Sequence, residues 1–312
     1  MSSPAEVRTN VLLVGLCTVD LVQRVADLPS AGQKLQSTGV EVAAGGPATN
    51  AAVTVAALGG RADLVTVLGA HPLAGIARDD LVAHGVRVFD ALPNRSAPPT
   101  LSSVAVRERD GERSVVSYNA ADIPGELPMP SWPALLAGAG ALLVDGHHPR
   151  LALAAARAAR GRRVPVVLDA GSDKPVFDEL LPLVDVCACA GGFRLGRNSV
   201  RATEKAVHEL GVPVVIRTNG ADAVRWSVVA AEPRGGRRAR PMTGTVDPPP
   251  VVAMDTLGAG DAWHGALAHG IAGLGRVPTA EELPGLVTAA NRVATTRVAS
   301  VGARAWLREL VG

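Results

Sequence analysis

The stretch that decides the architecture runs from Ala141 to Ala170, ALLVDGHHPRLALAAARAARGRRVPVVLDA. Ala141–Asp145 is an apolar run that ends on a carboxylate, Pro149–Gly161 has the length and composition of a helix, and Val164–Asp169 is a second apolar run ending the same way. Near-continuous apolarity marks strands covered on both faces, as in a parallel sheet, and a helix must carry the chain back between them. The rhythm extends in both directions. Val11–Val14, Asp63–Leu68, Val184–Cys189 and Val212–Arg217 read as further strands. Pro47–Leu58, Ala74–His84, Val200–Leu210, Asp261–Leu274 and Ala280–Val298 read as helices. This alternation predicts a doubly wound α/β sandwich.

Two stretches break the rhythm, at about 16–44 and 100–120. The first mixes polar and apolar positions around Pro29, Gly32 and Gly39. The second alternates in Ser103–Arg107 and Ser114–Tyr118 around Asp110-Gly111, a strong hairpin signal. Together they predict a small β-sheet projecting from the core as a lid. Pro233-Arg234-Gly235-Gly236-Arg237-Arg238 reads as another hairpin tip with solvated arginines.

Composition excludes several classes. Of 312 residues, 47% are hydrophobic and 19% charged, enough to bury a core and too apolar for disorder. Aromatics at 3% leave little for stacking nucleic acid, and a net charge of +2 gives no field to draw polyanions. Cys17, Cys187 and Cys189 lie in apolar surroundings, do not make a disulfide framework and lack partners at zinc spacing. Residues 42–60 are uncharged, but Gly45, Gly46, Pro47 and Asn50 argue against a membrane span. No basic start precedes an apolar stretch, so a soluble cytoplasmic protein is expected.

Chemistry concentrates in two segments. Asp255-Thr256-Leu257-Gly258-Ala259-Gly260-Asp261 precedes an apolar helix, and small residues at a helix N-terminus leave amides free to bind an anion. A carboxylate there opposes an anionic ligand. It makes sense if Asp261 accepts a proton from a hydroxyl attacking phosphorus; the plain alternative is a helix cap. Gly45-Gly46-Pro47-Ala48-Thr49-Asn50 opens another helix, with Gly46 at the cap and Pro47 at its first position. Asn50 offers donor and acceptor to sugar hydroxyls. Asp145-Gly146-His147-His148 ends a core strand on the ligand side of an open α/β sheet; substrate contact by Asp145 or His147, a structural turn and a metal site all remain open.

The two segments together resemble the paired signatures of the ribokinase-like (PfkB) carbohydrate kinases: GGPATNAAVTVAALGGRADLVTVLG at 45–69 and DTLGAGD at 255–261. The resemblance spans essentially the whole chain and implies one ribokinase-like domain over 1–312. It implies an ATP-dependent kinase with Asp261 as base and Gly258, Ala259 and Gly260 as the anion hole. Asp20, Gly45, Gly46 and Asn50 fall at sugar-binding positions. Thr218 and Gly220 fall on the nucleotide segment, and Asn291 on the adenine-side wall. Asp255 and Gly302 match a loop for a monovalent cation such as K+. Mg2+ is expected with ATP, although Ala190-Gly191-Gly192-Phe193 replaces a familiar N-x-x-E and supplies no carboxylate.

Motif style is closer to ketohexokinase and sulfofructose kinase members than to ribokinase, which implies a primary hydroxyl of a ketose as acceptor. Lys34 adds a cation, while His147 stands where sulfofructose kinases carry an arginine, which favours a neutral or weakly anionic sugar. The lid doubles as a homodimer surface in relatives. Two other readings stay open: a nucleoside kinase, poorly served by so few aromatics, and a catalytically silent sugar-binding homologue.

Overall fold

The computed structural model of the chain describes residues 9–119, 123, 126–229 and 240–310; the Pro233–Arg238 tip lies outside them. Its strands are β1 (Asn10–Val14), β2 (Thr18–Val25), β3 (Gly39–Gly45), β4 (Arg61–Thr66), β5 (Val86–Asp90), β6 (Leu101–Arg107) and β7 (Arg113–Tyr118). They continue with β8 (Ala141–Val144), β9 (Val166–Ala170), β10 (Val186–Cys189), β11 (Val214–Asn219), β12 (Asp222–Val228) and β13 (Met242–Val246). The α-helices are α1 (Pro47–Ala57), α2 (Pro72–Ala83), α3 (Trp132–Leu135), α4 (Pro149–Gly161), α5 (Phe177–Leu180), α6 (Val200–Glu209), α7 (Ala259–Leu274) and α8 (Leu283–Ala299).

Nine strands form one sheet in the order β13-β12-β11-β10-β9-β8-β1-β4-β5. Its seven strands from β11 to β5 run parallel, whereas β12 and β13 add an antiparallel edge. Side chains of β1 show why the run is continuously apolar. Val11 and Leu13 enter the core under α1, α7 and α8, while Leu12 and Val14 enter the core under α4. A polar residue on either face would have stood unpaired in one of them.

The chain builds outward from β1 to β4 and β5, then returns to place β8 on the other side of β1. That reversal opens a crevice at the carboxyl ends of β1 and β8, where open α/β sheets hold ligands.

The second sheet has the order β3-β2-β6-β7 and is made by the two predicted insertions. Strands β6 and β7 pair antiparallel around Asp110-Gly111, where Gly111 takes φ +70°. One face of this sheet carries Asp20, Val22, Arg24, Val104 and Val106; Val22, Val104 and Val106 pack there against Leu257. The sequence reading missed β5, β12 and β13: β12 mixes Arg225 and Ser227 with Val and Trp, and β13 has only five residues. Among the described residues no helix is long and apolar enough to cross a membrane.

Candidate active site

Helix α7 begins at Gly258, whose φ of +71° belongs to the left-handed region that glycine enters without strain. Ala259, Gly260 and Asp261 follow as its first three residues, and amides of a first helical turn have no intrahelical acceptor. A Cβ on Gly260 would meet nothing within 4 Å, so the space above this turn is open. Asp261 does not cap the helix. Its Oδ2 instead accepts from Asn50 Nδ2 on α1 at 2.9 Å.

That reach depends on how closely the two helices pack. A Cβ on Gly265 would stand 2.5 Å from the Ala51 carbonyl, so only glycine allows α7 to lie against α1 at this point. Asn50 Oδ1 accepts from Arg304 Nη1 at 3.3 Å, and Arg304 Nη2 also binds Asp80 Oδ2 at 2.8 Å and the Ala44 carbonyl at 2.6 Å. A donor-only guanidinium on one side and a carboxylate on the other fix which way the amide points. Burial pushes the Asp261 carboxyl above the ordinary aspartate range, opposed by the Asn50 bond and by His264, and reinforced by Asp145 and Asp20.

Asp20 stands on the inner face of β2, its Oδ1 accepting from Thr18 Oγ1 at 2.6 Å. A Cβ on Gly45 would fall on this carboxylate, which gives the first glycine of Gly45-Gly46 a steric reason. The second has another: Gly46 takes φ +97° as N-cap of α1, and a Cβ there would stand 2.5 Å from the Leu16 carbonyl. Burial raises the Asp20 carboxyl as well, with Thr18 and Arg304 opposing. Asp20, Asn50, Leu257, Gly258, Arg297 and Arg304 line one cleft of about 20 Å³.

Four of the expected site residues are held in hydrogen-bond networks. Asp145 is 1% exposed and faces inward. Its Oδ2 accepts from the amides of Leu16 (2.9 Å) and Ala48 (3.3 Å), and Oδ1 accepts from His147 N at 2.9 Å. It thus ties the ends of β1 and β8 to the start of α1. Burial opposes its ionisation, but His147 and these amides hold its carboxyl near 2. His147, with Nδ1 3.3 Å from Asp145 Oδ1, keeps 31% of its side chain exposed. Asn50, expected at sugar hydroxyls, has both ends of its amide engaged as described.

Asn291, expected on the adenine-side wall, is 2% exposed and accepts from Trp263 Nε1 at 2.8 Å, which joins α8 to α7. Asp255 is enclosed by donors: Leu257 N at 3.0 Å, Gly302 N at 3.2 Å and Arg24 Nη2 at 3.0 Å. Gly302, expected beside Asp255 at a cation loop, here contributes an amide donor to the Asp255 carboxylate. Among the described residues no three His, Cys, Asp or Glu side chains converge as a metal site, His147 and His148 included.

Thr218 is the penultimate residue of β11, with Oγ1 3.4 Å from the Cys189 carbonyl, and Gly220 turns the chain at φ +61°. Asp169, at the end of β9, is 4% exposed with Oδ2 3.2 Å from His264 Nδ1. Burial raises its carboxyl well above the usual range, and Asp261 and Asp145 add to the effect.

Sequence reasoning missed the residues that fasten the small sheet to the loop before α7. Arg24 reaches Asp255, Arg113 Nη1 reaches Thr256 Oγ1 at 3.2 Å, and Leu257 inserts among Val22, Val104 and Val106. Arg304 and Asp80 were missed too, because partners more than 200 positions apart leave no local pattern.

A crevice at a strand-order reversal, an open helix N-terminus and a half-buried carboxylate beside it together suit phosphoryl transfer to a hydroxyl. Comparison with known proteins gives the class. Residues 8–309 match the pfkB family carbohydrate kinase model. The ribokinase of Bacillus subtilis (strain 168) is 23% identical over 301 residues, covering 95% of this chain and 94% of that protein. Among solved structures, an Agrobacterium tumefaciens protein provisionally called a ribokinase superposes with a TM-score of 0.82 at 25% identity, covering 97% of this chain and 96% of the other. A Xylella fastidiosa fructokinase with bound ATP gives 0.73 at 19% identity, with 97% of each chain covered. The chain belongs to the pfkB family of carbohydrate kinases, and it is an ATP-dependent phosphotransferase acting on a sugar.

Proposed function

We propose that this kinase transfers the γ-phosphoryl group of ATP to a primary hydroxyl of a ketose such as fructose. The observation that carries the reading is the Asp261–Asn50 pair at the open end of α7. Asn50 holds one oxygen of the carboxylate and leaves Oδ1 for the acceptor hydroxyl. Asp261 takes that proton as the oxygen attacks phosphorus, and the amides of Gly258, Ala259 and Gly260 receive the charge that develops on the phosphoryl oxygens. The nucleotide lies toward Thr218 and Gly220. Magnesium, for which the Ala190–Phe193 stretch offers no carboxylate, comes with the phosphates of ATP.

Asp20 binds sugar hydroxyls from the lid side, and His147, half-buried where His148 is buried, stands beyond the carboxyl end of β8. These groups match a polyol with several hydroxyls, and a site of this kind rejects analogues that leave buried polar groups unpaired. Lys34 lies exposed between β2 and β3. The chain works as one domain with an inserted lid, and its three buried free thiols suit a reducing cytoplasm.

Asp20→Ala is expected to raise KM for the true sugar by roughly 10- to 100-fold, the worth of a charged hydrogen bond, with KM for ATP nearly unchanged. Steady-state assays of ADP release over a panel of ketoses, aldoses and nucleosides test this. Equal effects on both substrates, or nucleosides turned over faster than any ketose, overturn the assignment.

The outer face of the small sheet fits a second copy of the chain. Val40, Val42, Val116 and Tyr118 share that face and are all exposed, Val116 at 74% and Val40 at 69%. Exposed apolar faces of this kind mark association surfaces. Val116→Glu is expected to convert a dimer to a monomer in sedimentation velocity, and a monomeric wild type would sink the dimer.

A further inference from the structure

The loop that carries Asp255 lies against the loop that carries Ser300 and Gly302: the amides of Met254 and Asp255 both donate to the Val298 carbonyl. Relatives are expected to hold a monovalent cation between such loops, and the residues here do not fit one. Arg297 occupies the junction. Its Nη1 donates to the carbonyls of Ser300 (3.1 Å) and Asp255 (3.4 Å), one on each loop, and its Nη2 stands 3.5 Å from Asp255 Oδ2. Arg24 reaches the same Oδ2 from the small sheet at 3.0 Å. Both Asp255 and the Arg297 side chain are 4% exposed. An incoming cation would find two guanidinium groups already on its carboxylate, in a site too dry to screen them.

We propose that Arg297, assisted by Arg24, serves as the built-in cation of this kinase, so that phosphoryl transfer does not depend on potassium. A guanidinium carries a permanent charge and donors in a planar fork, which suits a carboxylate and flanking carbonyls together. The consequence reaches the chemistry through a short path. Asp255 Oδ1 holds the Leu257 amide, and Leu257 immediately precedes the left-handed Gly258 that opens the anion-binding turn. Arg297 is thus a positioning residue: it holds Asp255, and Asp255 sets the turn.

The proposal rests on the kinase reading, so its test pairs activity with a measurement that needs no substrate. The purified enzyme is exchanged into tetramethylammonium chloride, and kcat and Tm are compared after substitution by KCl or NaCl at equal ionic strength. The expected result is no selective response to potassium in either quantity. Selective activation by K+, or a Tm raised by K+ beyond the tetramethylammonium control, overturns the proposal. Failure of every sugar to react would count against the kinase reading, while the Tm comparison would still decide the cation.

Arg297→Met is expected to lose about tenfold in kcat with both KM values near wild type, and to regain part of it with added guanidinium. Removing one member of a buried ion pair sometimes prevents folding. Arg24→Met therefore serves as the second variant. It frees a lone pair of Asp255 and is expected to gain a potassium response that the wild type lacks. If neither variant differs from wild type in its response to guanidinium or potassium, the assignment of these arginines is wrong.

Discussion

Asp261→Asn is expected to lower kcat by about 10²–10⁴, the usual cost of losing a general base, with the fold and ATP affinity kept. The structure says why the fold should survive. Asp261 is not the helix cap, and its one described partner is the Asn50 amide, which donates to a carboxylate or an amide oxygen alike. Asparagine preserves that bond and the shape of the site; it removes only the ability to take a proton. Pre-steady-state phosphoryl transfer, with circular dichroism as a folding control, separates chemistry from stability. Near wild-type turnover would show that another group takes the proton.

The proposed base role of this carboxylate also implies a pH dependence. Burial raises its pKa above the ordinary aspartate range of about 3.9, so the protonated, inactive form persists to higher pH than an exposed Asp would allow. A base works only when deprotonated, hence kcat/KM falls as pH drops through this raised value and is restored above it. The acid limb of the profile belongs to Asp261 coupled to Asp145, Asp20 and His264, and it should vanish in the residual activity of Asp261→Asn.

How much of this was legible in the sequence depends on range. The core strands were, because a strand covered on both faces shows its burial locally; Val11–Val14 reads as apolar whichever face is considered. The Gly46 cap and the Asp110-Gly111 hairpin were legible for the same reason, since φ preferences act on neighbours. The positions of Asp20, Gly258 and Asp261 followed from matching short motifs. Their surroundings did not. Asn50 looks free in sequence because Arg304, which takes one end of its amide, is 254 residues away. Asp145 looks like a ligand-facing carboxylate because nothing local shows that Leu16 and Ala48 send their amides to it. Asp255 looks like a cation ligand until Arg24 and Arg297 arrive from a different sheet and a different helix. Motifs locate functional groups, whereas long-range donors decide which of them remain available.

Gly260→Val tests the other half of the mechanism and separates binding from chemistry most cleanly. The position is the second residue of α7, and a Cβ there meets no protein atom within 4 Å. Valine is also a better helix former than glycine by a few tenths of a kcal/mol, so the substitution should leave Tm unchanged or slightly raised. Any loss of activity then arises in the open space above the turn. Two methyl groups placed there crowd the transferring phosphoryl group away from the first-turn amides. Each such donor is worth roughly 10²–10³ in rate because it acts on charge that develops only in the transition state. In the proposed binding mode the sugar is held from the opposite side, by the small sheet through Asp20, and its affinity should change little. The expected signature is a fall in kcat of about 10²–10³ with KM for the sugar nearly constant and thermal stability intact. A variant with unchanged kcat would remove the amides of this turn from the mechanism. A loss confined to sugar affinity would place the sugar, and not the phosphoryl group, above Gly260.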